Sequence, residues 1–344
     1  MNKSKIEWCD HTWNPITGCN HGCHYCYART MTARFSGDVR LNKMCKADYS
    51  TQTGPDGSTL YVLDKPMLSE TGHPLVYPFG FEPTFHRYRM DTIGKLKMGN
   101  NIFVGAMADV FGEWVPDEWI EEIFNVCLEH AEPNYLFLTK NQAVFEMQRL
   151  CTVILYQSET SVQQDNFWYG TTVTRPDQEY AWFESGTYNW FLSIEPILED
   201  FGKFGATVKT APPWIIVGAQ TGRSKNKVIP EFEWIKNLVL TADTFGIPIF
   251  MKDSLIPIVG EKNMRRDFPK QLLEKSISEK MQNKLYEACS ECGKVLRKNQ
   301  MVALMARSKR GTPAKQYAYL CRACFENSCK NMGVELPKLD YMED

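Results

Sequence analysis

The sequence predicts an α/β protein, a full or partial (β/α) barrel of the TIM type carrying a C-terminal zinc-ribbon-like module. Three observations predict it. From Asn101 to Lys252, short apolar runs alternate with stretches of helical period, the pattern of a parallel sheet buried on both faces. Six or seven such units in one domain favour a barrel over an open sheet. Beyond residue 285 that rhythm stops and two C-x2-C pairs take its place, and four thiolates so spaced can hold a small domain together around zinc.

Length and composition set the frame. With 344 residues, 43% hydrophobic and 23% charged, the chain can bury one large core and carry an appendage. We read a barrel domain over 1–275 with an insertion at about 36–90, a four-cysteine zinc module over 285–330 and an acidic tail over 331–344. No run of 18 apolar residues is present, so no membrane partner is expected. The start, Met-Asn-Lys-Ser-Lys-Ile-Glu-Trp, has no apolar signal region, which implies a cytoplasmic protein. In a long chain of that kind, 12 cysteines read as metal ligands in a reducing compartment, not as disulfides.

Taken in order, Trp13–Thr17 reads as a first strand delivering a cysteine-rich loop, and Tyr27–Phe35 as the helix that follows. Gly54-Pro55-Asp56-Gly57-Ser58, between Tyr49-Ser50-Thr51 and Leu60-Tyr61-Val62, reads as a hairpin turn. It belongs to the insertion, which should cover one end of the barrel without a core of its own. The barrel strands are centred on Ile102-Phe103-Val104, Tyr135-Leu136-Phe137-Leu138, Phe167-Trp168-Tyr169, Trp190-Phe191-Leu192, Trp214-Ile215-Ile216-Val217 and Pro248-Ile249-Phe250-Met251. Pro116 opens an amphipathic helix through Phe124, as a first-turn proline should.

Chemistry concentrates in the loop. Cys19, Cys23 and Cys26 stand at C-x3-C-x2-C spacing. Three thiolates leave a four-iron cluster one ligand short, much as a catalytic zinc keeps one position open. His21 or His24 could instead complete a closed zinc site. This spacing, with the aromatic Tyr25 directly before the third cysteine, resembles the radical S-adenosylmethionine (SAM) superfamily. A longer match, Ile-Glu-Trp-x-Asp-x-Thr-Trp-Asn-Pro-x-Thr-Gly-Cys and then Cys-x-x-Cys-Tyr-Ala, resembles an uncharacterised radical-SAM-like family common in bacteriophages. Its first two cysteines are usually farther apart than here.

The resemblance implies that Cys19, Cys23 and Cys26 ligate a 4Fe-4S cluster, that its fourth iron chelates SAM, and that reduction yields a 5′-deoxyadenosyl radical. An electron donor such as flavodoxin or ferredoxin is then required. In a barrel the site lies at the C-terminal strand ends, where Asp109, Glu113, Thr139, Lys140, Thr172, Thr174, Ser193, Glu195, Gln220, Thr221, Lys252 and Asp253 fall. Segments similar to the family's at Met107–Phe111, Leu138–Lys140, Ser193–Ile197 and Val217–Gly222 imply roles for a few. Asp109 and Lys140 would serve catalysis; Tyr25, Ser193, Glu195 and Gly218 would contact SAM. Gln220 stands where that pattern has an acid, which removes a charge. Phe85-His86-Arg87 reads as a strand end near the surface, with a substrate contact as the alternative.

In the C-terminal module, Cys289, Cys292, Cys321 and Cys324 are the expected zinc ligands, with a hairpin between Val295–Ala306 and Gln316–Leu320, and Cys329 as a spectator. From Cys289 to Lys330 nine Lys or Arg face two Glu, a net of +7 in a chain of net −2. With Tyr317, Tyr319 and Phe325 interleaved, this charge suits phosphate contact and base stacking. The expected function is therefore a radical SAM enzyme acting on a nucleic-acid base or nucleotide, in modification or repair. Two alternatives stand beside it: a radical SAM enzyme on a small molecule or peptide, and a non-enzymatic zinc-dependent nucleic-acid-binding protein.

Overall fold

The structure is a computed structural model and describes residues 2–94, 100–141, 165–180, 188–202, 211–222, 226–272, 286–292, 295–297, 301–306 and 315–333. Cys151, the basic residues Lys294, Lys298, Arg307, Lys309 and Arg310, and the acidic tail beyond residue 333 lie outside the described residues.

The first six strands are β1 (Asn2–Lys3), β2 (His11–Trp13), β3 (Ile16–Thr17), β4 (Ser50–Thr53), β5 (Thr59–Leu63) and β6 (Thr84–His86). Six more follow: β7 (Asn101–Val104), β8 (Asn134–Thr139), β9 (Phe167–Val173), β10 (Asn189–Ile194), β11 (Ile215–Val217) and β12 (Ile249–Met251). The main sheet runs β1-β2-β7-β8-β9-β10-β11-β12. Its neighbours from β2 to β12 are all parallel, and β1 adds an antiparallel edge. The seven parallel strands curl into a half-barrel. Of the two barrel forms expected, the partial one is found. Among the described residues β12 has no ladder to β1 or β2, and the side chain of Glu7 reaches across instead, accepting the Asp253 N–H at 3.0 Å.

Strand alternation sorts the core into two faces. Phe103, Leu136, Trp168, Phe191, Ile216 and Phe250 point into the curl and pack with Trp8, Trp214 and Phe268. On the outer face, Ile102, Val104, Tyr135, Phe137, Phe167 and Tyr169 meet the helix Asp117–Glu129. That helix buries Trp119, Ile120, Ile123, Phe124 and Cys127, a stripe at three- and four-residue spacing. The helix Phe232–Phe245 covers the other half through Ile235, Leu238 and Ala242, and Gly246 at φ 67° ends it.

Two elements differ from expectation. The strand expected over Trp13–Thr17 is broken at Asn14-Pro15, since proline brings no N–H to a ladder. β2 stays in the main sheet, while β3 joins a second, four-stranded sheet of order β3-β6-β5-β4. The expected hairpin forms as β4 and β5 of that sheet. The insertion also has a small core, contrary to expectation: Leu60 and Val62 of β5 face the main core, whereas Tyr61 and Leu63 face Met67 and Phe79.

The C-terminal module pairs β13 (Tyr286–Ala288) with β14 (Val295–Arg297), and β15 (Met301–Ala306) with β16 (Lys315–Cys321). The stretch expected as one strand, Val295–Ala306, is thus divided between two hairpins. A helix, Arg322–Asn331, follows with Cys321 as its N-cap residue.

Candidate functional site

The same alternation that builds the inner apolar layer builds the site above it. One step beyond Trp168 and Phe191 on the inner face come Gly170 and Thr172 on β9 and Ser193 on β10. Beyond Ser193 comes Glu195, and beyond Phe250 comes Lys252. At that level the layer gives way to a cavity of about 760 Å3, whose wall includes Thr172, Ser193, Glu195 and Lys252.

The cysteine loop closes the cavity from the other side. Gly18, at φ +86°, sits so tightly that a Cβ there would stand 2.3 Å from the Glu82 carbonyl oxygen. Its N–H donates to Met107 O at 2.9 Å, and the Cys19 N–H donates to Phe81 O at 3.2 Å. Cys19, Cys23 and Cys26 all line the cavity. Burial pushes the Cys19 thiol up to about 12, so a metal binding there must displace its proton. The helix Tyr27–Phe35 starts directly after Cys26, anchored by the Tyr27 hydroxyl donating to Ala106 O at 2.6 Å.

Asp109 ties this loop to the strand ends. Its Oδ2 accepts from the Thr139 hydroxyl at 3.0 Å, the Lys140 N–H at 2.8 Å and His21 Nε2 at 2.8 Å. Its Oδ1 accepts from the Phe111 N–H at 3.1 Å. A carboxylate saturated this way, and only 4% exposed, is a clamp holding His21 and therefore the loop. Lys140 Nζ meanwhile donates to the Tyr25 hydroxyl at 2.9 Å and lies over the Tyr25 ring. His21 is thus committed to Asp109, and His24 is exposed with its ring against Tyr25.

Across the cavity, Lys252 Nζ donates to Glu195 Oε1 at 2.5 Å and lies 4.0 Å from Glu7 Oε2. Burial lowers the pKa of the Lys252 ammonium, but the charges of Glu195 and Glu7 outweigh it and hold the group above its ordinary value. Gly218 does not line the cavity. A Cβ at Gly218 would come within 3.1 Å of Lys252 and 3.2 Å of Glu195, so its role is to leave room for that pair.

The two cysteine groups differ in kind. Sγ atoms of Cys289, Cys292, Cys321 and Cys324 all lie within 4.8 Å of one another. Cys292 and Cys321 are 3.7 Å apart, near the roughly 3.8 Å edge of a tetrahedron with Zn–S bonds of about 2.3 Å. Hydrogen bonding from Cys292 pulls Cys321 down to about 5, which favours a thiolate. This group can bind a metal. Among the described residues no other three or more His, Cys, Asp or Glu gather so tightly, so a closed zinc built from Cys19, Cys23 and Cys26 with a histidine is not formed. The thiols of Cys19, Cys23 and Cys26 share one cavity wall without gathering that closely.

The model of DUF5131, a protein family of unknown function, matches residues 3–255. The chain belongs to that family. No curated protein and no solved structure matches it. The radical SAM assignment drawn from the sequence is corrected by this result: the cysteine loop and the half-barrel fall within the DUF5131 match, and no radical SAM family model matches. The link to a bacteriophage family has no support either. The four-cysteine module lies beyond the residues that define the DUF5131 match.

Of the residues singled out in the sequence, Cys19, Cys23, Cys26, Tyr25, Asp109, Lys140, Ser193 and Glu195 share the cavity wall, and Gly218 stands behind it. Glu7 and the pairing of His21 with Asp109 were missed. The Ile-Glu-Trp opening was the signal available for Glu7; nothing local marks His21. Phe85 and His86, read as near-surface, are fully buried, with His86 Nε2 at 2.8 Å from Thr17 Oγ1. No helix of the described residues is long and apolar enough to cross a membrane.

Proposed function

We propose that this chain is an iron–sulfur enzyme in which Cys19, Cys23 and Cys26 hold a 4Fe-4S cluster whose open iron takes SAM, with a nucleic-acid base or nucleotide as substrate. The reading rests on the site and not on kinship. One observation carries it: the thiols of Cys19, Cys23 and Cys26 all line one cavity of about 760 Å3, within the range of small-molecule sites. When bound, the cluster and SAM would supply one-electron reductive cleavage and a radical able to abstract hydrogen.

The chain's own residues provide orientation and shelter. His21, held by Asp109, sets the loop against the strand ends. The hydroxyls of Ser193 and Thr172 offer hydrogen bonds at the cavity wall. The Glu195–Lys252 pair presents both charges to a ligand with amino and carboxylate groups. Trp8, Phe103 and Leu138 give the wall its apolar part, which excludes water. Zinc is the metal proposed for Cys289, Cys292, Cys321 and Cys324, on the strength of their tight grouping. The net charge of +7 between Cys289 and Lys330 supports contact with nucleic acid there, and an electron-donor protein is implied.

Anaerobic reconstitution with iron and sulfide tests this. The expected result is absorption near roughly 400 nm, typical of such clusters, and 5′-deoxyadenosine formed from SAM with a reductant. Protein that takes up iron without sulfide, or neither, removes the reading.

A further inference from the structure

The helix Tyr27–Phe35 leaves the cysteine loop largely uncovered, with only Ala28 and Thr32 buried. Tyr27, Met31 and Phe35, four residues apart, form one stripe that is 50%, 40% and 51% exposed. A surface helix normally turns such a stripe toward the core. The charges around it are mostly basic: besides Asp38, the acids are Glu82, which Lys43 pairs at 2.6 Å, and Glu195, which Lys252 pairs. Arg29 and Arg34 lie on this helix and Arg40 on the next, Val39–Met44. The intervening acid, Asp38, is occupied in capping through the Arg40 and Leu41 N–H groups.

The stripe also runs into the site. Tyr27 and Phe81 both line the cavity, and the Arg29 guanidinium lies 4.7 Å over the Phe81 ring. Whatever rests on this face has a part within reach of the cavity. A folded protein docked there would cover Tyr27 and Phe81 of the cavity wall. A flexible anionic chain with flat apolar faces can rest there and pass one part into the cavity.

We propose that this face binds single-stranded nucleic acid, with bases stacked on Tyr27 and Phe35, phosphates at Arg29, Arg34 and Arg40, and one base directed into the cavity. Aromatic rings interleaved with arginines are the stacking and charge set used by single-strand binders. An enzyme acting on a base must receive it unstacked, in a pocket. The proposal deepens the nucleotide-substrate reading and rests on it, but the binding itself does not need the cluster. It is a second surface, separate in sequence from the C-terminal module.

The test uses the full chain, with and without reconstitution, and fluorescein-labelled DNA and RNA single strands of about 12 nucleotides, within the span of known single-strand sites. The Arg34→Glu/Phe35→Ala variant should bind at least about 5-fold more weakly, the lower end for loss of one stacked base, and with a shallower salt dependence. Lys236→Glu, on the helix Phe232–Phe245 and paired with Glu233, should leave affinity unchanged. Strands carrying 5-iodouridine should photo-crosslink to the peptide 27–35. Crosslinks confined to 289–330, unchanged affinity in the double variant, or absence of binding would each overturn the proposal. So would gel filtration that finds the stripe pairing two copies of the chain. Iron and sulfide analysis of the same samples separates the two readings: cluster-free protein that still crosslinks at 27–35 sinks only the cluster.

Discussion

Replacing Asp109 removes the acceptor on which four donors converge, from Phe111, Thr139, Lys140 and His21. In Asp109→Asn, one position must carry an NH2 group. The cheaper orientation keeps oxygen toward Thr139, Lys140 and His21 and turns the NH2 against the Phe111 N–H. One buried donor is then unsatisfied, at about 1–3 kcal/mol, and the remaining bonds lose a charged acceptor; we expect about 2 kcal/mol. Asp109→Ala strands all four donors, some of which can find water, and roughly 4 kcal/mol is expected. His21→Ala removes a single partly buried hydrogen bond and should cost about 1 kcal/mol. Urea unfolding measures the three values. All three variants should lose iron and sulfide after reconstitution, because the loop is no longer clamped. An Asp109→Ala protein as stable as its parent would refute the clamp.

Gly18→Ala adds a Cβ 2.3 Å from the Glu82 carbonyl oxygen at a φ of +86°, so it should destabilise by at least about 2 kcal/mol, read by thermal unfolding; an unchanged transition counts against the tight loop. His86 is held neutral, its pKa well below the ordinary 6.5, by burial and then by the charge of Arg89. The unfolded chain takes up that proton below its ordinary pKa and the native one does not. Stability from this residue is therefore intact above that pH and falls by about 2 kcal/mol on acidification to about pH 5. In His86→Gln the acid-side slope of a urea series should be shallower; an identical slope would contradict it. Cys289→Ser should lower the zinc content of purified protein, measured by mass spectrometry, without changing iron and sulfide at the N-terminal loop. A double-mutant cycle on Glu195→Gln and Lys252→Met should give a coupling of about 1–2 kcal/mol, given partial exposure of both groups; a value near zero would mean that the pair contributes no net coupling.

Much of the architecture was readable because strands buried on both faces are continuous apolar runs, and the runs at Ile102, Tyr135, Phe167, Trp190, Ile215 and Ile249 all became parallel strands. The paired knuckles Cys289/Cys292 and Cys321/Cys324 were readable too, since C-x2-C spacing constrains each pair locally, and all four sulfurs do converge. Kinship was misread: a short cysteine spacing recurs in unrelated families, and the broader match is to DUF5131.

By itself the sequence determined what short-range chemistry dictates: alternating strands and helices, the β4–β5 hairpin turn, and thiols at close spacing. Only the tertiary structure decided whether the sheet closes, and it stays open with Glu7 reaching the end of β12. Only packing brought His21 to Asp109, 88 positions apart, and Lys252 to Glu195, 57 apart. Such pairs depend on which face each strand turns inward. In a strand apolar on both sides the sequence has no alternation to reveal that choice, and the curl of the whole sheet makes it.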